Sequence, residues 1–341
     1  MIIDLRSDTV TKPTKDMLDA MMQAKVGDDV FAEDPTINEL QNKMAEMFSY
    51  EAALFLPSGT MANQIAIKVS TQPGDEVICD KLSHVYNYEG GGIAFNSGAS
   101  VRLLNGDRGR FTAEDVRASI LGDDAHLANS SLVVIENTVN KGGGSIWDLN
   151  EIKKIKNVCV ENNLKLHLDG ARLFNALVET GENPSDFGSI FDSISICLSK
   201  GLGTPVGSVL LGSKDFIKKA HRIRKVMGGG MRQAGYLAAA GIFALDNHVE
   251  ILKKDHQRAK LIGEMLQNMD VVTKILDIET NIIIFHLDPK IANPALFLEK
   301  LAEKNVKAYP FGADSVRFVT HLDFTDEHLY GLETALKTMK F

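Results

Sequence analysis

Two short stretches of the sequence each end in a charged side chain followed by glycine. Ser193–Gly203 delivers Lys200 in this way, and Leu164–Arg172 delivers Asp169. Both patterns are typical of short buried strands. Because ligands of α/β proteins bind at the carboxyl edge of the sheet, we expect the lysine and the aspartate to lie close together there. A lysine that can condense with a carbonyl group and a carboxylate that can hold a pyridinium nitrogen would make this edge a reactive site.

A third motif supplies an anion-binding element. Ser58, Gly59 and Thr60 lie between an apolar run and a helix-forming segment. Backbone N–H groups and hydroxyls at a helix N-terminus favour phosphate. Each motif alone is weak evidence, since most lysines and aspartates at strand ends are simply solvated. Together, in this order, they describe a pyridoxal-phosphate site in which Lys200 attaches the cofactor and Asp169 holds its ring nitrogen.

The segments around these motifs resemble one enzyme family, the L-threonine aldolases of the low-specificity type, which have the fold of aspartate aminotransferase. The resemblance covers nearly the whole chain. Two segments, Ile3–Pro13 and His167–Arg172, are more specific to this family than the Ser-Lys-Gly around Lys200. The other matching segments are Gly27–Thr36, Leu56–Asn63, Ser83–His84, Glu136–Thr138, Ser199–Gly201 and Gly228–Gln233. The resemblance implies an enzyme that cleaves L-threonine or L-allo-threonine, reversibly, to glycine and acetaldehyde.

The resemblance also assigns residues to the substrate and to the cofactor. Ser7, Arg172 and Arg317 would orient the α-carboxylate of the amino acid, and the fork of an arginine suits the two oxygens of a carboxylate. Arg172 would contact the cofactor as well, and Arg232 would join the helix N-terminus around the phosphate. Phe31 stands where related enzymes generally carry a tyrosine, so we place it beside the substrate and leave its effect on specificity open.

Two histidines are candidates for the base that takes the proton of the substrate hydroxyl. In related enzymes an aromatic ring at the position of His84 stacks on the cofactor, and a histidine at that of His126 lies near the hydroxyl. An imidazole close to its ordinary pKa can accept this proton at neutral pH, directly or through water, and the sequence does not choose between the two. A cation near Thr9 and Thr11 is only weakly indicated, because no carboxylate cluster accompanies those hydroxyls, and we expect no metal.

The composition is that of a soluble globular protein. The chain has 341 residues, of which 44% are hydrophobic and 24% charged, enough for one large or two medium domains. A net charge of −8 favours neither nucleic acid nor anionic membranes as partners. No apolar run approaches the roughly 20 residues that span a bilayer. The three cysteines lack metal-like spacing and no signal segment precedes Asp4, so we expect a cytoplasmic protein with reduced thiols.

Alternating strand and helix patterns predict an α/β fold with a mainly parallel, doubly wound sheet of the seven-stranded type. Gly207–Leu211 is expected to return antiparallel beside the lysine strand. A long alanine-rich helical stretch from Ala234 to about Met269, with a break near Asp246, would lead to a smaller α+β domain. We therefore divide the chain into an N-terminal segment that contributes to the active site (1–13), a large cofactor-binding domain (14–246) and a small C-terminal domain (247–341).

Two alternatives to aldol cleavage stay open. The first is another reaction of the same cofactor fold, β-elimination or transamination, since the lysine and the aspartate serve all of them. The second is a non-catalytic α/β binding protein that retains the scaffold, which the cofactor signature disfavours. The small-molecule partner is an amino acid in the favoured case. Because Phe31 and Arg232 lie on glycine-bounded loops yet match positions near the cofactor, we expect a homo-oligomer, by resemblance a tetramer, with shared active sites.

Overall fold

The chain folds around one seven-stranded sheet and one four-stranded sheet. The computed structural model describes residues 1–341. The strands are β1 (Ile3–Asp4), β2 (Ala52–Leu56), β3 (Asp75–Asp80), β4 (Ser100–Leu104), β5 (Asn129–Glu136), β6 (Lys165–Gly170), β7 (Ser193–Cys197), β8 (Ser208–Gly212), β9 (Val272–Ile275), β10 (Ile282–Leu287), β11 (Val306–Lys307), β12 (Tyr309–Pro310) and β13 (Ser315–Val319).

Helices cover both sheets and connect their strands. They are α1 (Lys15–Met22), α2 (Pro35–Met47), α3 (Gly59–Ser70), α4 (His84–Asn87), α5 (Ala113–Ser119), α6 (Leu149–Glu161), α7 (Leu173–Thr180), α8 (Pro184–Ile190), α9 (Lys214–Val226), α10 (Gly235–Asn247), α11 (Leu252–Gln267), α12 (Pro294–Glu303) and α13 (Asp326–Thr338). None of them is both long and apolar enough to cross a lipid bilayer.

The large sheet has the strand order β2-β8-β7-β6-β5-β3-β4. All neighbours are parallel except β8, which runs antiparallel to both β2 and β7. The mainly parallel sheet and the antiparallel return after the lysine strand are thus confirmed. Since parallel strands end at the same edge, the carboxyl ends of β5, β6 and β7 lie side by side and form the floor of the site described below.

Both faces of the large sheet are buried, as a doubly wound sheet requires. Alternate strand residues point to opposite faces, so Val133 packs in the main core with α2 and α6, whereas Val134 packs in a smaller core. A third core lies between β2, β8 and the helices α3 and α9. Helix α3 therefore lies across the sheet with its N-terminus at the carboxyl edge, the position that an anion-binding helix needs.

A second large core belongs to the four-stranded antiparallel sheet β12-β13-β10-β9 and the helices α11, α12 and α13. The N-terminal residues Ile3 and Leu5 pack into this core, and β1 pairs in parallel with β11. After Leu5 the chain crosses back to the large sheet, where the Thr11 hydroxyl donates to the carbonyl of Lys200 at 3.1 Å. The N-terminus is therefore fixed between the two sheets.

The alanine-rich stretch after Ala234 forms two helices, α10 and α11, as the expected break near Asp246 indicated. The break lies at His248, whose ring nitrogen Nδ1 contacts the carbonyl oxygen of Leu202 at 2.8 Å. This contact ties the junction of the two helices to the turn that carries Lys200.

Candidate active site

Lys200 lies on a tight turn three residues beyond the end of β7. The N–H of Gly203 donates to the carbonyl of Lys200 at 2.8 Å, and Thr11 donates to the same oxygen. Gly203 has a φ of 76°, which favours glycine over any side-chain-bearing residue. The side chain of Lys200 is half-buried, and its charge contributes to lowering the pKa of Asp8. The turn therefore fixes the backbone of the lysine at the carboxyl edge of the sheet.

Asp169 is the penultimate residue of β6, the strand next to β7, and is buried. One carboxylate oxygen accepts from Asn63 Nδ2 at 2.9 Å, and the other accepts from the N–H of Ala171 at 3.1 Å. The register places Asp169 opposite Glu136 on β5 and opposite Ser195 on β7. Such a carboxylate, held by two donors, is suited to accept a hydrogen bond from a protonated ring nitrogen.

The N-terminus of α3 opens toward the same edge. Ser58 is the N-cap, and its hydroxyl oxygen accepts from the N–H of Met61. Ser58 and Thr60 are exposed, so their hydroxyls and the first N–H groups of the helix are available to an anion. A Cβ added to Gly59 would lie 2.4 Å from the sulfur of Cys197, so only glycine lets the helix begin this close to β7.

The two arginines expected at the substrate carboxylate differ in their partners. Arg172 donates from Nε and Nη2 to the two carboxylate oxygens of Asp8, at 2.7 and 2.8 Å, and both side chains are buried. Arg317 donates to Asn140 Oδ1 at 2.8 Å and to the carbonyl of Arg6 at 3.1 Å, while its Nε is buried without a partner. Burial and the positive charge of Arg172 lower the pKa of Arg317 to about 10.

Ser7 caps a short 3-10 turn next to this arginine pair. Its hydroxyl oxygen accepts from the N–H and from the hydroxyl of Thr9, at 3.2 and 2.9 Å. The hydroxyl of Thr11 donates to the carbonyl of Asp8 at 2.6 Å. The hydroxyls of Thr9 and Thr11 thus serve the conformation of the N-terminal segment, and no cluster of carboxylates surrounds them.

His84 begins α4 and faces a buried acidic group that sequence reasoning missed. The ring nitrogen Nδ1 of His84 lies 3.0 Å from Oε1 of Glu89, and the backbone N–H of His84 donates to Oε2 of Glu136 at 2.7 Å. Burial lowers the pKa of His84, but the hydrogen bond with Glu89 and the charges of Asp169, Glu89 and Glu136 outweigh it, so the pKa is raised. The imidazole is held among carboxylates at the edge of the sheet.

Glu136 is the second acidic residue that sequence reasoning left without a role. Besides His84, it accepts from the N–H of Asn140 at 2.8 Å, and Asn140 in turn accepts from Arg317. Burial and the charge of Asp169 raise the pKa of Glu136 to about 7. Glu136, the last residue of β5, therefore connects His84 through Asn140 with Arg317.

Three other candidates lie apart from these residues within one chain. His126 precedes β5, at the opposite edge of the sheet from Asp169, and its side chain is 92% exposed beside Asp124. Arg232 pairs with Asp28 at 2.9 Å, and its guanidinium lies 6.0 Å from the centre of the Phe31 ring. Phe31 is 69% exposed. These side chains are presented to the outside of the subunit.

Comparison with known proteins identifies the family. The model of the beta-eliminating lyase family matches residues 4–288. The chain is 43% identical to the low specificity L-threonine aldolase of Escherichia coli (strain K12) over 331 residues, 96% of each chain. It is 39% identical to the low-specificity L-threonine aldolase 1 of Arabidopsis thaliana, over 96% of this chain and 93% of the relative.

The chain belongs to the threonine aldolases of the beta-eliminating lyase family. The resemblance stated from the sequence motifs is confirmed. Among solved structures, the threonine aldolase of Leishmania major superposes with a TM-score of 0.85 at 22% identity and covers 98% of both chains, which confirms the fold.

Threonine aldolases of this family are pyridoxal-phosphate enzymes, and the residues of this chain fit the cofactor. Asp169 is a buried carboxylate with room in its hydrogen-bonding capacity for a pyridinium N–H. The start of α3 has no room for a side chain at Gly59, and its first backbone N–H groups are available to a phosphate. Lys200 would supply the amine for covalent attachment. When bound, pyridoxal phosphate supplies the electron sink that makes a bond at the substrate Cα labile.

Proposed function

We propose that this threonine aldolase cleaves L-threonine and L-allo-threonine to glycine and acetaldehyde, and that the reaction is reversible. The observation that carries the proposal is the buried Nε of Arg317, a cationic donor without a partner. Arg317 is linked through Asn140 to Glu136, which lies opposite Asp169 at the carboxyl edge of the sheet. A half-buried guanidinium without a carboxylate partner favours an anionic ligand, and the α-carboxylate of an amino acid meets that need. The printed names of the curated relatives support threonine as that amino acid.

The cofactor residues take the roles that their positions favour. Lys200 holds the cofactor covalently, and Asp169 keeps the ring nitrogen protonated. Ser58, Gly59 and Thr60 bind the phosphate through the start of α3. Arg232 adds a positive charge to the phosphate.

The substrate is oriented by its carboxylate. Arg317 is the main anchor, Arg172 supplies the Nη1 donors that Asp8 leaves free, and Ser7 contributes its hydroxyl. Fixing this carboxylate sets which Cα bond is broken. The side chain of Phe31 limits the space around the β-substituent with an apolar surface.

A histidine removes the proton of the β-hydroxyl. Within one chain His84 is the histidine that lies at the carboxyl edge, together with Glu89 and Asp169. A ring nitrogen of His84 and one carboxylate oxygen of each acidic residue all lie within 4.8 Å of one another. His126 remains a candidate for a site of another subunit, since its own edge of the sheet is the opposite one. Either imidazole can accept the proton directly or through a water molecule.

We also propose that the protein is a homo-oligomer, at least a dimer and by family resemblance a tetramer, whose subunits complete one another's active sites. The exposure of Phe31, Arg232 and His126 supports it, because each would need a neighbouring chain to meet a cofactor or substrate. Subunit exchange between inactive Lys200→Ala and Arg232→Ala variants tests this, since mixed interfaces would restore some intact sites. A fully active monomer would rule the proposal out.

Organisation and location complete the proposal. We divide the chain into the segment 1–13, a cofactor-binding domain 14–246 and a small domain 247–341, since two separate large cores support two domains. The cysteines Cys79, Cys159 and Cys197 are unpaired and buried, which is the usual state in the cytoplasm.

Product analysis with L-threonine separates the proposed reaction from its alternatives. Aldol cleavage releases acetaldehyde and glycine, β-elimination releases ammonia and a keto acid, and transamination gives a keto acid with the amino group kept on the cofactor. We expect acetaldehyde and glycine in equal amounts. Ammonia with 2-oxobutanoate would instead favour the β-eliminating alternative, and no product from any amino acid would favour a binding protein.

A further inference from the structure

Glu89 is buried at the centre of a set of side-chain donors. Its Oε1 accepts from Asn63 Nδ2 at 2.9 Å and lies 3.0 Å from Nδ1 of His84, and its Oε2 accepts from Gln64 Nε2 at 2.6 Å. Its side chain is fully shielded from solvent. A buried carboxylate with this many partners is held in one orientation, because any rotation would leave donors unpaired.

The amide orientations behind Glu89 are fixed by further partners. Asn63 Oδ1 accepts from the hydroxyl of Ser195 at 2.6 Å and lies 3.2 Å from Nε2 of His167, so its NH₂ group must point to Glu89. Gln64 Oε1 likewise accepts from Asn96 Nδ2 at 3.1 Å. Both amides therefore donate N–H groups to Glu89, so the carboxylate acts only as a hydrogen-bond acceptor toward Asn63 and Gln64.

The glycines after Glu89 make this geometry possible. Gly90 and Gly91 have φ values of 62° and 72°, so the chain reverses direction directly behind the carboxylate. A Cβ on Gly92 would lie 2.5 Å from the side-chain amide of Gln64. The segment Glu89–Gly92 is therefore shaped to bring one glutamate against α3 and His84.

We propose that Glu89 is a positioning residue that keeps a proton on Nδ1 of His84 and leaves Nε2 as the atom that takes the proton of the β-hydroxyl. A carboxylate that only accepts requires a donor at Nδ1, and a neutral imidazole then has its lone pair on Nε2. This assignment rests on the proposed aldol cleavage with His84 as the base, and it adds a residue that the sequence motifs did not single out.

The proton transfer is balanced within these groups. The O–H bond of the substrate breaks and its electron pair becomes the second bond of the aldehyde C=O. The Cα–Cβ bond breaks in the same step and leaves its electron pair on Cα, while a new N–H bond forms at Nε2. His84 then carries a positive charge beside the negative charge of Glu89, which stabilises it. The proton passes to solvent after acetaldehyde leaves, so that Nε2 is free again.

Three carboxyl groups face His84 from different elements. Glu89 follows α4, Asp169 is the penultimate residue of β6, and Glu136 is the last residue of β5. All three raise the pKa of His84 against the effect of burial. Glu89 is the only one that meets a ring nitrogen by hydrogen bond, since Glu136 binds the backbone N–H of the histidine. Removing the charge of Glu89 should therefore lower the pKa of His84 and allow the proton of the neutral ring to lie on either nitrogen.

Nitrogen NMR of ¹⁵N-histidine in the cofactor-loaded enzyme tests this directly, with His84→Asn used to assign the signals. In the wild type we expect the Nδ1-protonated form of His84. In Glu89→Gln we expect a mixture of tautomers or the Nε2-protonated form, and a titration moved to lower pH. Glu76→Gln is the matched control, because Glu76 is another buried glutamate but pairs with Arg102 instead. An unchanged tautomer and titration in Glu89→Gln would overturn the proposal.

Kinetics give a second reading of the same variants. In Glu89→Gln, kcat for L-threonine should fall about tenfold to a hundredfold, the usual effect of losing an orienting partner behind a functional histidine, and the acid limb of the pH profile should move to lower pH. KM should change little, because Arg317 still holds the carboxylate. An equal loss in Glu76→Gln would contradict the assignment.

If Glu89→Gln does not fold, Glu89→Asp takes its place, since it keeps the charge but shortens the side chain. We expect a smaller shift of the His84 titration in the same direction and a partial recovery of kcat relative to Glu89→Gln where both fold. No shift in Glu89→Asp would overturn the proposal. A wild type that shows the Nδ1-protonated His84 but does not cleave L-threonine would refute the proposed function and leave the orienting role of Glu89 in place.

Discussion

Arg172 is already paired with Asp8 through two hydrogen bonds of 2.7 and 2.8 Å, although 164 residues separate them in the chain. Arg317 has no such partner and keeps a buried Nε without a hydrogen bond. The two arginines therefore differ in the hydrogen-bonding capacity that they leave free. Arg172 fixes the N-terminal segment to the start of α7, whereas Arg317 holds the free donor that an incoming carboxylate can use.

Arg317→Ala should raise the KM for L-threonine about a hundredfold, because a carboxylate that loses one buried charged partner costs about 3 kcal/mol. The visible absorption of the bound cofactor should stay unchanged, since the hydrogen bonds of Arg317 go to Asn140 and Arg6 and to none of the expected cofactor residues. Steady-state kinetics and absorption spectra check both expectations. Arg102→Ala, which removes the ion pair between Arg102 on β4 and Glu76 on β3, serves as the control. If the KM of Arg317→Ala equals that of the wild type, Arg317 only packs the two sheets together.

Asp8→Asn should destabilise the protein by about 3–5 kcal/mol at neutral pH, because it leaves the buried guanidinium of Arg172 without its counter-charge. Burial alone would raise the pKa of Asp8, but the charge of Arg172 overrides this and the pKa lies below its ordinary value. The pair therefore stabilises the fold above the ordinary aspartate pKa of about 3.9 and is lost as the pH falls through the lowered value.

Urea unfolding of the wild type and of Asp8→Asn from pH 7 down to acidic pH measures this dependence. The difference in the free energy of unfolding should be constant near neutral pH and should narrow only at acidic pH. Asp107→Asn, at an exposed ion pair with Arg110, should show little difference at any pH. If the free energies of unfolding of the wild type and of Asp8→Asn differ by the same amount at all pH values, Asp8 acts through packing and not through its charge.

Gly59→Ala should weaken pyridoxal-phosphate binding by about tenfold or more, because the new Cβ meets the sulfur of Cys197 and pushes the start of α3 away from the sheet. Fluorescence titration of the apoenzyme with the cofactor measures the affinity. Cys197→Ala removes the obstacle, so the double variant should recover most of the lost affinity while Cys197→Ala alone has little effect. If the double variant binds as poorly as Gly59→Ala, the methyl group itself blocks the phosphate.

The strand ends that carry Lys200 and Asp169 could be predicted from the sequence because their pattern is local. An apolar run, one charge and a glycine describe a buried strand and its turn, and the structure places both at one edge of the sheet. The cap at Ser58 followed from local pattern as well.

The partners of these residues could not be predicted, because they depend on contacts between distant segments. Asp8 appears polar and terminal in the sequence, and only the fold brings it to Arg172. Glu89 precedes three glycines, a composition typical of flexible loops, and only the fold shows that they turn the carboxylate onto His84. Likewise nothing near Glu136 in the sequence indicates that it accepts from the backbone of His84.

Covalent attachment of the cofactor to Lys200 is the central claim, and borohydride reduction followed by peptide mass spectrometry tests it most directly. We expect the reduced phosphopyridoxyl group on the peptide that contains Lys200, together with complete loss of L-threonine cleavage. Lys200→Ala should fold, take up no label and show no turnover. Lys141→Ala, which removes a lysine 5.7 Å from the Tyr88 ring centre, should keep the label and the activity. A label on any other lysine, or turnover by Lys200→Ala, would contradict the assignment.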